Sequence, residues 1–202
     1  MILLKRNRTI RHIAFLMTIV LVMGLSSCAS SLPEKAVKML FSSLNALDFE
    51  KAEDILNSPG AYEEVRKAYT GEHDTYLSQI SDVSFIEFIY GSLSVKTGKV
   101  ESSGDKASIT CTISAYPASK VTEEISRALQ KVKSSEAYEA AGEGERYAML
   151  CRAVPQIYAD LPGKIARTET TVTLSAYRAK DGSWKINPDR ALFDAIAGGG
   201  GN

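Results

Sequence analysis

The 202-residue chain is poor in the residues that most often carry chemistry. It holds two histidines, three cysteines and one tryptophan. His12 and His73 lie far apart, and no cysteine sits in a Cys-x-x-Cys pair or beside a histidine, so neither a metal nor a redox site is supported. An excess of charge is also missing. Lys and Arg number 24 against 24 Asp and Glu, and the two signs are interspersed rather than run together, which leaves no electrostatic footprint for nucleic acid. None of the patterns GxGxxG, P-loop, HExxH or GxSxG occurs. No catalytic residue, metal ligand or cofactor is therefore assigned. Finally, no run is long and apolar enough to span a bilayer. The longest, Ile13 to Leu25, covers 13 residues broken only by Thr18 and Gly24, against the ~20 that a spanning helix needs.

That short run sits in a recognisable setting. Lys5, Arg6, Arg8 and Arg11 precede it, and Leu25-Ser26-Ser27-Cys28 closes it. A basic start, an apolar core and a small-residue end make a secretory signal. With a cysteine in the next position, the segment resembles the bacterial lipoprotein signal. The resemblance implies cleavage between Ser27 and Cys28, and acyl chains on the Cys28 thiol and its new amino group. It also implies a cell-envelope protein, lipid-anchored on the extracytoplasmic side of a bacterial membrane. Two or more acyl chains give stable attachment where one gives only marginal binding. Without the four cations of the signal, the balance is 20 against 24, a net charge of −4. The expected organisation is a signal peptide over 1–27, a lipidated tether over 28–32, one domain over 33–197 and a flexible tail over 198–202.

The domain opens with helical patterns. Ser31 and Glu34 fit a capping box, and Val37, Leu40, Phe41, Leu44 and Leu47 fall on one helical stripe. Asp48 is placed to cap a second helix carrying Phe49, Ala52, Ile55 and Leu56 inward. A more polar helix with Tyr62, Val65 and Tyr69 stops near Gly71, and Gly71-Glu72-His73-Asp74 reads as a solvated loop. A fourth helix runs from Tyr76 to about Gly91.

Strands follow. Leu93, Val95, Thr97 and Lys99 alternate with Ser94, Lys96, Gly98 and Val100. From Ala107 to Tyr116 one small apolar face alternates with one hydroxyl face, the pattern of an antiparallel strand covered on one side. Residues 118–164 break this pattern and read as a helical insertion. Ser134 to Glu145 reads as loop or frayed helix, and Pro155 is expected to kink or divide the helix that contains it. Thr168 to Ala179, an Asp181-Gly182 turn and Ser183 to Ile186 form the last hairpin. A short helix then carries Leu192, Phe193 and Ile196. The expected fold class is α+β: N-terminal helices on a curved antiparallel sheet of about four strands, with the insertion between the second and third. Cys111 and Cys151 read as two buried thiols, although export would permit a bond between them.

The first helix, the strand from Asp105 to Tyr116 and the segment Thr170 to Pro188 with Asp-Gly-Ser-Trp-Lys-Ile together resemble exported lipoproteins of the nuclear transport factor 2-like superfamily. These share the cystatin-like cone fold; many are domains of unknown function, and some are lumazine-binding-like. The resemblance implies a cone that is either filled or open. For an open cone, the candidate lining groups are Tyr116 and Tyr177 for stacking and Arg167 for an anion. Enzymatic relatives hold a general-base carboxylate in the cone, a role for which Glu87 or Glu169 is the candidate here. The expected activity is non-catalytic: binding of a small molecule or interaction with an envelope protein, with the membrane as a partner through Cys28. The alternatives are an inhibitory module for an envelope partner and an isomerase- or hydrolase-like enzyme.

Overall fold

The computed structural model describes residues 32–199. Ser27, Cys28 and the Ser31 cap lie outside these residues, as does the tail beyond Gly199. The described chain is α+β, with eight α-helices and one open antiparallel sheet.

Helix α1 (Pro33–Asn45) starts without a side-chain cap, and Pro33 occupies the first turn, where its missing N–H costs nothing. It ends two residues earlier than the apolar stripe indicates. Leu47 is in the left-handed region (φ 58°), its N–H donates to Leu44 O, and Asp48 N–H donates to Ser43 O. Leu47 is thus the turn that closes α1, not a member of its stripe. Asp48 caps α2 (Phe49–Leu56) by accepting from Lys51 N–H at 3.1 Å. Helices α3 (Glu63–Thr70) and α4 (Tyr76–Gly91) follow, the latter opened by a reciprocal capping box between Thr75 and Ser78.

The strands β1 (Ser94–Ser103), β2 (Lys106–Ala115), β3 (Thr168–Arg178) and β4 (Trp184–Ile186) form a meander in the order β1-β2-β3-β4. Strand β1 departs from simple alternation. Thr97 pairs with Cys111 but Val100 pairs with Ile109, so one extra residue is accommodated at Gly98-Lys99. This bulge returns Val100 to the face of Val95, where unbroken alternation had placed the two on opposite faces. Glycine suits the site, because a Cβ at Gly98 would stand 3.3 Å from Thr110 O. The last hairpin is also wider than a two-residue Asp-Gly loop. Gly182 N–H donates to Ala179 O, Ala179 N–H donates to Ser183 O, and only Gly182 takes a positive φ (83°).

One face of the sheet is apolar and covered. Ile109, Ile113 and Leu174 are fully buried against Leu40, Leu44, Phe49 and, from α8 (Arg190–Ile196), Leu192. The other face carries Thr110, Thr112, Thr171 and Thr173, half-buried or exposed. Between β2 and β3 the chain builds α5 (Ala118–Lys133), α6 (Glu136–Ala140), α7 (Glu143–Asp160) and a 3-10 turn at Leu161–Gly163. The stretch 134–145, expected as loop or frayed helix, contains the short helix α6 and the start of α7. Pro155 lies inside α7 without dividing it. The insertion packs on α4 around a second core of Ile89, Val121 and Leu161.

Both cysteines of the described domain are free. Cys111 is buried, whereas Cys151 is only half-buried, which corrects the expectation of two buried thiols. The domain also extends past 197. Gly198 (φ 67°) donates to Ala195 O and Gly199 donates to Asp194 O, the paired bonds that close α8. Gly198 is buried against Pro117, and Ala118 N–H donates to Ala197 O at 2.9 Å, so these two glycines belong to the fold rather than to a tail.

Candidate functional site

An apolar concavity opens where α3, α4, α8 and the start of α5 meet. It is an open cleft with room for about 440 Å³. Helix α4 makes its principal wall. This helix carries apolar residues on more than one side, so it serves two cores and also borders the cleft. Ile86 belongs to the sheet core, Phe85, Phe88 and Ile89 belong to the insertion core, and Phe85, Ile86, Ile89 and Tyr90 border the cleft. Val65 and Ala68 of α3 face them. Phe193, Ile196 and Ala197 at the end of α8 complete the wall. Asp189 fixes the start of that helix by accepting from Leu192 N–H at 2.8 Å. The two charged lining residues are Glu64 and Asp82.

Behind the cleft lies an aromatic cluster. Tyr90 meets Phe49 edge-on with ring centroids 5.2 Å apart, and Tyr62 stands 5.9 Å from Tyr90 and 6.2 Å from Phe193. Such edge contacts add to the burial of the rings. Burial pushes the Tyr90 hydroxyl up to about 12 and raises that of Tyr62 further, helped by Tyr90 and Glu53 nearby. The Tyr62 hydroxyl is buried with no hydrogen-bond partner among the described residues. Tyr90 in the wall and Tyr62 behind it are therefore neutral rather than acids or bases near pH 7.

His73 is not the solvated residue expected. Its side chain is only 8% exposed, and Nδ1 lies 3.4 Å from Asp82 Oδ2. The loop before α4 folds back so that His73 supports the carboxylate that also lines the cleft. Sequence spacing hid this pair, because nine positions separate its members. Among the described residues no group of three His, Cys, Asp or Glu side chains gathers to hold a metal ion. No helix there is long and apolar enough to cross a membrane.

The sequence-selected residues fall elsewhere. Tyr116 and Arg167 meet, with the guanidinium carbon 5.5 Å from the ring centroid. Tyr116 also stacks on Phe88 at 4.8 Å. Arg167 Nη2 donates to Ser92 O, to Ser94 Oγ at 3.3 Å and to Ser114 O at 2.7 Å. Its hydrogen bonds thus tie the start of β3 to β1 and β2 rather than pointing a cation at open space. Tyr177 is ten residues along β3, roughly 33 Å away at the rise of an extended strand. There it lines a separate depression with Ser108 and Ser175. The three do not form one pocket. Glu87 and Glu169 are both exposed, and Glu87 accepts from Tyr69 Oη at 3.4 Å. The cleft itself was missed. The signal that could have found it is α4, whose apolar residues exceed what one buried face requires.

No family model matches the chain, and no curated protein sequence matches it either. Among solved structures, the chain is similar to one described as a putative lipoprotein (ycdA) from Bacillus subtilis, at 15% identity and a TM-score of 0.40. The match covers 78% of this chain and 43% of that one, so the chain spans under half the length of its structural neighbour.

Proposed function

We propose that this chain is an extracytoplasmic lipoprotein, anchored through Cys28, whose folded domain is a non-catalytic module that binds an apolar small molecule. The observation that carries the binding role is the cleft between α3, α4 and α8. Its volume lies in the range of small-molecule sites, ~300–1,000 Å³, and its walls are apolar apart from Glu64 and Asp82. Apolar walls with two peripheral carboxylates favour a neutral or cationic amphiphile over an anion. Membership of the nuclear transport factor 2-like superfamily is part of the same proposal. It is supported by the order of helices followed by a four-stranded meander. The two acids considered for the isomerase-like alternative, Glu87 and Glu169, face solvent, and the buried Glu53 is engaged as acceptor from Tyr62 N–H at 2.8 Å.

Titration with the neutral apolar dye N-phenyl-1-naphthylamine tests the cleft. One saturable site per chain is expected, and Ala68→Trp, which places a large ring in the cleft, should weaken binding about tenfold or more. Unchanged dye affinity in a folded Ala68→Trp variant would show that the cleft is not the site. A second reading, docking of an envelope protein, is favoured by one feature. Tyr76 and Tyr147 are exposed at 61% and 39%, and they sit together where Leu77 N–H donates to Tyr147 Oη at 3.0 Å. Recovery of a stoichiometric protein partner, lost on Tyr76→Ala, would move the assignment to that reading.

A further inference from the structure

Helix α1 is buried on one side through Val37, Leu40, Phe41 and Leu44. Its outward side is unusual in composition. Leu32, Lys35, Met39, Ser42 and Ala46 are all exposed and follow one another along a single helical stripe, with Lys38 beside them. Leu32 is 53% exposed and Met39 40%, two of the four large apolar side chains that are exposed among the described residues. The stripe and its flank hold two exposed cations, Lys35 and Lys38, and the one acid of this helix, Glu34, is half-buried, although the chain from Cys28 onward carries a net charge of −4. Lys35 and Lys38 form no ion pair with the described residues. Cations on two other helices are neutralised by neighbours: Lys67 pairs with Glu63 and Glu64, and Arg127 with Glu123 and Glu124.

We infer that this face of α1 is a membrane-contact surface that lies against anionic lipid headgroups, with Leu32 and Met39 entering the interface between Lys35 and Lys38. The inference rests on the reading of Cys28 as the lipid-bearing residue. Leu32 lies four positions after Cys28, a reach of at most ~14 Å for a fully extended chain. The start of α1 is therefore held near the bilayer whatever the path of the tether. A domain held that close presents some face to the headgroups. Coulomb attraction selects the cationic stripe, because the attraction decays within about 10 Å at moderate salt. Apolar side chains with lysines around them suit the same depth, since lysine stems extend their charge toward water while the apolar groups go deeper. The lipid thus does more than tether: it sets which side of the domain faces outward.

The test uses the full lipidated chain, reconstituted into vesicles of equal parts phosphatidylcholine and phosphatidylglycerol with brominated acyl chains. Met39→Trp is placed in a Trp184→Phe background, and Thr173→Trp on the uncovered sheet face serves as the comparison. Circular dichroism establishes that each variant is folded, and palmitate labelling establishes that Cys28 carries lipid. The expected result is quenching of the Met39→Trp fluorescence by about half, with little quenching for Thr173→Trp. Adding Lys35→Gln and Lys38→Gln, or omitting phosphatidylglycerol, should reduce the quenching. A labelled, folded chain with equal quenching at both positions overturns the contact surface while leaving the lipoprotein reading intact. A chain that takes up no palmitate overturns the lipoprotein reading, and the surface with it. Quenching that is indifferent to both lysines and to phosphatidylglycerol overturns the anionic-lipid assignment.

Discussion

Arg167 lies over the ring of Tyr116, 5.5 Å from its centroid, and binds two backbone carbonyls, those of Ser92 and Ser114, from the same nitrogen. These carbonyls belong to the turn after α4 and to the end of β2. The arginine therefore joins the insertion core, which holds Tyr116, to the sheet. Arg167→Ala should destabilise the domain by about 1–2 kcal/mol, since hydrogen bonds from a charged donor are worth roughly that much in a partly exposed setting. Arg167→Lys should recover less than half, because an ammonium lacks the planar fork that stacks and donates at once. Urea unfolding of the two variants checks this. An Arg167→Ala midpoint equal to wild type would remove the joining role.

Gly198 makes a comparable join at the other end of the chain. Its φ of 67° is one that L-residues adopt only with strain, and a Cβ there would stand 2.6 Å from Pro117 N. Both obstacles are backbone, which cannot rotate away. Gly198→Ala should cost about 2 kcal/mol or more. Gly199→Ala meets only Asp194 O at 3.3 Å and has no left-handed φ, so it should cost under about 1 kcal/mol. Thermal unfolding of the pair separates them. Similar melting points would show that the contact with Pro117 yields easily.

Much of this architecture is legible in the sequence because it follows from local rules. The stripe of α1, the Asp48 cap and the alternation of β2 each depend on residues a few positions apart. The failures share a different physical origin. Val95 and Val100 are five residues apart and share a face only because a bulge inserts one residue between them. His73 is buried by a loop that returns to Asp82, and Arg167 reaches carbonyls 53 and 75 positions away. Tyr177 joins neither of its proposed companions because a strand separates positions linearly. The cleft was the hardest feature to see. Its walls come from four helices, and each wall residue has a sufficient local explanation as core.

The two faces of the sheet should differ sharply in their response to truncation. Ile109 and Leu174 are paired across β2 and β3, and both are fully buried. On the opposite face Thr110 pairs with Thr173 in the same two strands. Ile109→Ala or Leu174→Ala should cost ~2–5 kcal/mol through lost transfer energy and a residual cavity. Thr173→Ala should cost under about 1 kcal/mol, the scale of an exposed cross-strand pair. Chemical denaturation of the three single variants tests the sidedness. A loss at Thr173 as large as that at Ile109 would mean that the hydroxyl face is covered in the folded protein.

The thiols provide a last, chemically independent check. Burial pushes the Cys111 thiol from 9.0 up to about 11. Folding therefore favours its protonated form. Below pH 9 both folded and unfolded chains keep the proton, and this contribution to stability is fully present. Between about 9 and 11 the unfolded chain releases the proton while the folded chain retains it, so stability falls with rising pH. Tyr90, raised from 10.0 to about 12, extends the decline in the same direction. Cys111→Val should remove the first part of the decline, on the order of 2 kcal/mol by pH 11, and leave the tyrosine part. The same thiols report on Cys28. If Cys28 carries lipid, as proposed, a thiol reagent should modify the half-buried Cys151 and spare Cys111 in the native chain, and after denaturation it should modify these two alone. A third reactive thiol in the denatured mature chain would mean that Cys28 is unmodified.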